Sequence, residues 1–120
     1  VRNGNLVLSH PLKASKEFNS TPALISTLSA RNIYLKNHLR IETGEFISGD
    51  RIYLMTDALS CWFIREFEKG EQPWKNIENL LKTKTSQEER NKRFISWVEH
   101  LRKKNELQND DVTLLYIERL

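Results

Sequence analysis

The sequence predicts an α+β fold, antiparallel strands with about three helices, and three observations carry that prediction. A continuous apolar run, Ile52-Tyr53-Leu54-Met55, follows a Gly49-Asp50 turn signal and suits a strand buried on both faces. Apolar residues then recur at helical spacing in three blocks between Asp57 and Leu101. Finally, Val112 to Ile117 is rich in residues that favour strands and closes the pattern.

Taken in order, Asn3-Gly4 is a hairpin turn signal, with Asn5 to Leu8 as the second arm. The first arm would lie upstream of Val1. His10-Pro11 ends that strand, because proline gives up a ladder donor. Lys13 to Pro22 is polar loop, followed by a short apolar segment, Ala23-Leu24-Ile25. From Ile33 to Ile47, Leu39 and Ile41 alternate with Arg40 and Glu42, so this stretch reads as strand and pairs with Ile52–Met55 across Ser48-Gly49-Asp50. The first helix carries Leu59, Phe63 and Phe67 on one stripe with Trp62 beside it, and Gly70 closes it. Pro73 opens the second helix, whose apolar face is Trp74, Ile77, Leu80 and Leu81. Ser86 and Glu89 fit a capping box for the third, which presents Phe94, Trp97, Val98 and Leu101. Asn109-Asp110-Asp111 is a turn before the closing strand.

Composition bounds the class. A chain of 120 residues, 38% hydrophobic and 29% charged, suits one soluble globular domain or part of one. No apolar run approaches the roughly 20 residues of a membrane helix, and the first twenty residues lack a signal-peptide core. The single cysteine, Cys61, excludes an internal disulfide or a cysteine zinc cluster and points to a reducing compartment such as the cytoplasm. A net charge of +3 is too small to argue for nucleic acid. The only methionine is Met55, so the expectation is that Val1 is not a natural start.

Two carboxylates stand at strand ends. Asp57 follows the Ile52–Met55 strand and reads as a helix N-cap or as a metal ligand. Asp110 precedes the closing strand and reads as a turn residue or as a second ligand. Were the two strands antiparallel neighbours, both carboxylates would meet at one sheet edge, where charges ~4 Å apart repel by about 4 kcal/mol at an effective dielectric of 20. A divalent cation reverses that sign, and oxygen-only ligands favour magnesium or manganese. The rest is bland. His10, His38 and His100 share no metal or triad spacing, and Ser60 and Cys61 lack the glycines of a nucleophile elbow. Arg90 to Arg93 and Arg102 to Lys104 fall on the polar side of an amphipathic helix, normally a solvated face.

The ordered series Gly49-Asp50, apolar strand, Thr56-Asp57-Ala58, helices, and Asp110-Asp111-Val112-Thr113 resembles the C-terminal half of a metal-dependent protein phosphatase of the 2C type. His10-Pro11-Leu12, Phe18 and Thr21-Pro22 also resemble a segment of some bacterial members. The resemblance spans most of the chain, with its specificity in two short motifs. It implies part of an αββα sandwich, with Asp57 and Asp110 as ligands of a dinuclear magnesium or manganese centre. Asp111 and Thr56 would support them. It further implies metal-activated water attacking a phosphoserine or phosphothreonine protein substrate in line. Two departures stand out: Ala58 replaces the family's usual glycine, and its upstream Asp-Gly-His-Gly motif and phosphate-contacting arginine are not in these residues. The expectation is therefore a C-terminal portion that depends on a missing N-terminal half of the domain, with neither nucleic acid nor membrane as partner. The rival is a non-catalytic phosphatase-like or helical interaction module.

Overall fold

The computed structural model describes residues 1–18, 27–81 and 86–120, with backbone only for Leu35 and His38. Thr21-Pro22 and Ala23-Leu24-Ile25 lie outside the described residues. The chain is α+β. Short 3-10 turns at Ser15–Glu17 and Ser29–Asn32 and a single helical turn, α1 (Leu35–His38), precede strand β1 (Arg51–Met55). Helices α2 (Asp57–Glu68), α3 (Pro73–Leu81) and α4 (Gln87–Lys103) follow, and strand β2 (Leu114–Glu118) closes the fold.

The two strands form one antiparallel sheet in which Met55 faces Leu114 and Arg51 faces Glu118. The predicted pairing of β1 with residues 33–47 does not occur. Among the described residues that stretch holds no strand, and Ile41 is 76% exposed. The ladder of β1 is taken by β2 instead, which brings Leu114 into the core beside Met55. Local alternation near Ile41 cannot compete with a partner that also buries side chains. The turn before β1 does form: the Asp50 N–H donates to the Ile47 carbonyl at 3.1 Å, with Gly49 at φ 85°. At the amino end the Asn3-Gly4 turn is present, both residues at positive φ, but only Arg2 and Asn5 pair across it. The expected arm over Asn5–Leu8 is not a strand.

The core lies on one side of the sheet. Ala58, Leu59, Trp62 and Phe63 of α2 meet Trp74 and Ile77 of α3, Val98 and Leu101 of α4, and Leu107. Leu59 and Ile77 are fully buried, and each such side chain contributes roughly 1.5–3 kcal/mol. Tyr53 and Met55 of β1 pack on this cluster, with the Tyr53 ring 5.9 Å from Phe63 and 5.4 Å from Tyr116. Phe67, expected on the buried stripe, is 40% exposed, with its ring centroid 6.1 Å from that of Trp74. It is the second-last residue of α2, beyond the last buried position, Ile64.

The helix ends follow their sequence signals. Gly70, at φ 85°, lets its N–H reach the Phe67 carbonyl while Glu71 reaches Glu66, the two bonds of a Schellman motif. Asn105, at φ 57°, closes α4 in the same way through Arg102 and Leu101. Pro73 is the first residue of α3, and the Ser86 Oγ accepts from the Glu89 N–H at 3.3 Å at the start of α4.

Candidate functional site

Strand β1 ends at Met55, and Thr56 is the joint between the two motifs. Its N–H donates to the Thr113 carbonyl at 3.2 Å. Its hydroxyl accepts from the Thr113 N–H at 3.0 Å and donates to the Asp111 carbonyl at 3.0 Å. One side chain thus ties the exit of β1 to the entry of β2.

Thr56 is also the residue that caps α2, with extended backbone (φ −68°, ψ 162°) and no side-chain bond to its own helix. The hydroxyl is spent across the sheet instead. Asp57 is therefore not the cap: it is the first residue of α2, exposed, at the positive end of the helix dipole. Ala58 next to it is buried in the core, so its methyl has a packing role.

On the facing side, Asp110 and Asp111 are exposed. The Asp110 N–H donates to the Gln108 carbonyl at 3.0 Å, and its Oδ1 accepts from the Asp111 N–H at 2.7 Å. Arg102, in the last turn of α4, donates to the Asp110 carbonyl at 2.5 Å and pairs with Glu99 at 3.0 Å. The turn reading of this segment and its proximity to the end of β1 hold together. The Asp110 carboxylate keeps one oxygen outside the turn, so turn and ligand roles are compatible.

The sequence places Arg102 on a solvated polar face and Thr113 in the closing motif without a role, whereas here Arg102 binds the Asp110 carbonyl and Thr113 pairs with Thr56. The signal for Thr113 is its place just after the acidic pair; for Arg102 it is a basic residue in a last helical turn.

Among the described residues, no group of three or more His, Cys, Asp and Glu side chains is assembled to hold a metal ion. The donor chemistry present at this rim, exposed carboxylates without thiolate or imidazole, fits magnesium or manganese as part of a larger ligand set. Asp50 is not a further donor. It is 7% exposed and held by Arg2 through two bonds, 2.7 Å to Oδ1 and 2.8 Å to Oδ2, while the Ile47 N–H donates to Oδ2.

The other candidates are accounted for locally. The Ser60 hydroxyl donates to the Met55 carbonyl at 3.2 Å, and the Cys61 thiol, half-buried, lies 4.0 Å from the Ser15 carbonyl. Lys92 pairs with Glu88 on the polar face of α4 at 2.8 Å. Among the described residues no helix is long and apolar enough to cross a membrane.

Compared with protein-family models, curated proteins and solved structures, the chain matches none.

Proposed function

We propose that this chain is the C-terminal part of a metal-dependent serine/threonine phosphoprotein phosphatase domain of the 2C type, with Asp57 and Asp110 as metal ligands. The observation that carries the reading is the Thr56 hydroxyl bridge. Residues 56 and 111 are 55 positions apart, yet the hydroxyl of one donates to the carbonyl of the other, so the two acidic motifs leave the sheet at the same end. The bare side of the sheet supports the same reading. Ile52 faces Ile117 and Leu54 faces Leu115, and all four are exposed while the helices cover the opposite side. In this reading that face would pack in an αββα sandwich against a second sheet from the rest of the domain.

In this reading Asp57 and Asp110 hold a magnesium or manganese ion, whose chemistry when bound is to lower the pKa of a water for attack on phosphorus. Thr56 fixes the distance between the two strand ends, Asp111 anchors its hydroxyl, and Arg102 holds the Asp110 turn. The substrate class is a phosphoserine or phosphothreonine protein, in a cytoplasmic setting.

The test is manganese titration calorimetry and phosphatase assay on the intact protein, with Asp57→Asn and Asp110→Asn. Each substitution is expected to weaken manganese uptake and reduce activity at least about a hundredfold. Unchanged activity in Asp57→Asn would overturn the proposal. The acidic set at this rim is small, which favours one alternative, a non-catalytic phosphatase-like module. It predicts no manganese uptake by the intact protein.

A further inference from the structure

Strand β2 uses only one side of its backbone. In the ladder with β1 the Thr113 carbonyl accepts from the Thr56 N–H, and the Arg119 N–H donates to the Asp50 carbonyl. The register between them is regular, from Leu114 opposite Met55 to Glu118 opposite Arg51. Odd-numbered residues of β2 therefore turn their backbone groups to β1, and Leu114, Tyr116 and Glu118 turn theirs away. Among the described residues no backbone group pairs with those three. Exposed edges are ordinarily blunted by lysine, proline or a bulge. Strand β2, Leu-Leu-Tyr-Ile-Glu, carries none of these. The opposite edge of the sheet differs. Val1 and Arg51 exchange both backbone bonds there, at 2.8 and 2.9 Å, and residues 42–46 line the same cavity as Tyr53 and Met55.

We propose that β2 pairs with β2 of a second copy of this chain, antiparallel, about a twofold axis through Tyr116. The strand is self-complementary in that register, as a twofold interface requires. Tyr116 meets the partner's Tyr116, and Leu114 and Glu118 each meet the other's equivalent, so all outward backbone groups are satisfied at once. Shifting the axis to another residue leaves part of the five-residue strand unopposed, and centring it on Glu118 sets two carboxylates face to face.

Side chains support the same register. Leu115 stands opposite the partner's Ile117, at the non-hydrogen-bonded positions where side chains approach most closely. Both are exposed in the single chain, at 53% and 39%. With Ile52 and Leu54 behind them, the pairing joins two short apolar stripes into one across a four-stranded sheet. Just past the strand, Arg119 falls opposite the partner's Thr113, a diagonal step from the partner's Asp111 and within reach of a long side chain. Symmetry makes that opposite-charge pair twice. The contact is one strand wide, so the dimer is weak and concentration-dependent.

The test is sedimentation equilibrium of the full-length protein from about 5 to 500 μM, with amide hydrogen exchange at both ends of that range. A reversible dimer is expected. At the higher concentration exchange at Leu114, Tyr116 and Glu118 should slow at least about fivefold, with a smaller change at Leu115 and Ile117, whose amides already bond β1. Arg119→Asp, an exposed change that sets an acid near Asp111, should weaken dimerisation about fivefold. A monomer at every concentration would overturn the proposal. So would a dimer whose Leu114, Tyr116 and Glu118 amides exchange at the dilute rate, because the copies would then meet through the apolar face or the β1 edge. Equal dimerisation by Arg119→Asp would do the same. Neither metal nor phosphate enters these measurements, so their outcome is separate from the phosphatase reading.

Discussion

Glu78 is a carboxylate on the apolar stripe of α3, four residues after Trp74 and one after Ile77, and it is 5% exposed. It is buried because two donors meet it there: Arg51 Nη1 at 2.8 Å and the Tyr53 hydroxyl at 2.7 Å. Arg51 also pairs with Glu118 at 3.2 Å, so the network links α3 to both strands. Burial first, then the Glu78 carboxylate, hold the Tyr53 phenol well above its ordinary pKa. The Tyr116 phenol is pushed up to about 12 by burial and then by Glu118. Removing Glu78 would take away an acceptor shared by a partly buried guanidinium and a partly buried phenol. Glu78→Ala is expected to destabilise the fold by about 2–3 kcal/mol in urea unfolding, the remaining Glu118 pair keeping the loss below that of a fully buried ion pair. Glu78→Gln, which retains an acceptor, should cost about half as much. The hint was in the sequence, as a charge at a stripe position. Its partners were not, because Arg51 and Tyr53 reach it only once β1 lies across α3.

At the scale of elements, the sequence was most readable where structure is set by neighbouring residues. Gly70 ends α2, Pro73 opens α3 and Ser86 caps α4 where the sequence signals place them, because such signals act within a turn. Gly70 illustrates the energetics. At φ 85° it is in the left-handed region, and a Cβ there would meet no atom within 4 Å. The cost of Gly70→Ala is therefore backbone strain alone, about 1 kcal/mol by urea unfolding. Asn105 holds the equivalent place after α4 at φ 57°. Asn105→Gly should stay within about 0.5 kcal/mol of the parent, since relief of strain is offset by a more flexible unfolded chain. A similar cost in both variants would show that the two helix ends are not equivalent. The strands were harder. Residues 33–47 alternate well enough to suggest one, but a strand exists only by virtue of its partner, and the partner β1 found lies near the other end of the chain.

For the molecule as a whole, the radius of gyration is 16.2 Å, against about 14 Å for a compact domain of this length. Arg2 and Asp50 hold the amino-terminal turn to the start of β1, with Arg2 also donating to the Glu45 carbonyl at 3.1 Å. The Arg2 guanidinium, and after it the Ile47 N–H, keep the Asp50 carboxyl well below its ordinary pKa. A folded value below the unfolded one means the contribution to stability is complete above about pH 4 and is lost as pH falls below it toward the depressed value. Stability of the parent should therefore drop between about pH 4 and 2 more steeply than that of Asp50→Asn, as followed by urea midpoints across that range. Parallel profiles would show that the pair does not act in the folded chain.

By itself the sequence determined the three helices, the signals of Gly70, Pro73 and Ser86 at their ends, the turn before β1, the β character of the runs that became β1 and β2, and the acidic residues beside them. Each of these depends on spacing and backbone preference within a few residues. Tertiary structure decided which strand pairs with which, that Thr56 rather than Asp57 caps α2, that Asp50 is tied to Arg2, and that Glu78 is buried. Those outcomes depend on which distant groups can satisfy one another once a common core excludes water, and no local pattern carries that information.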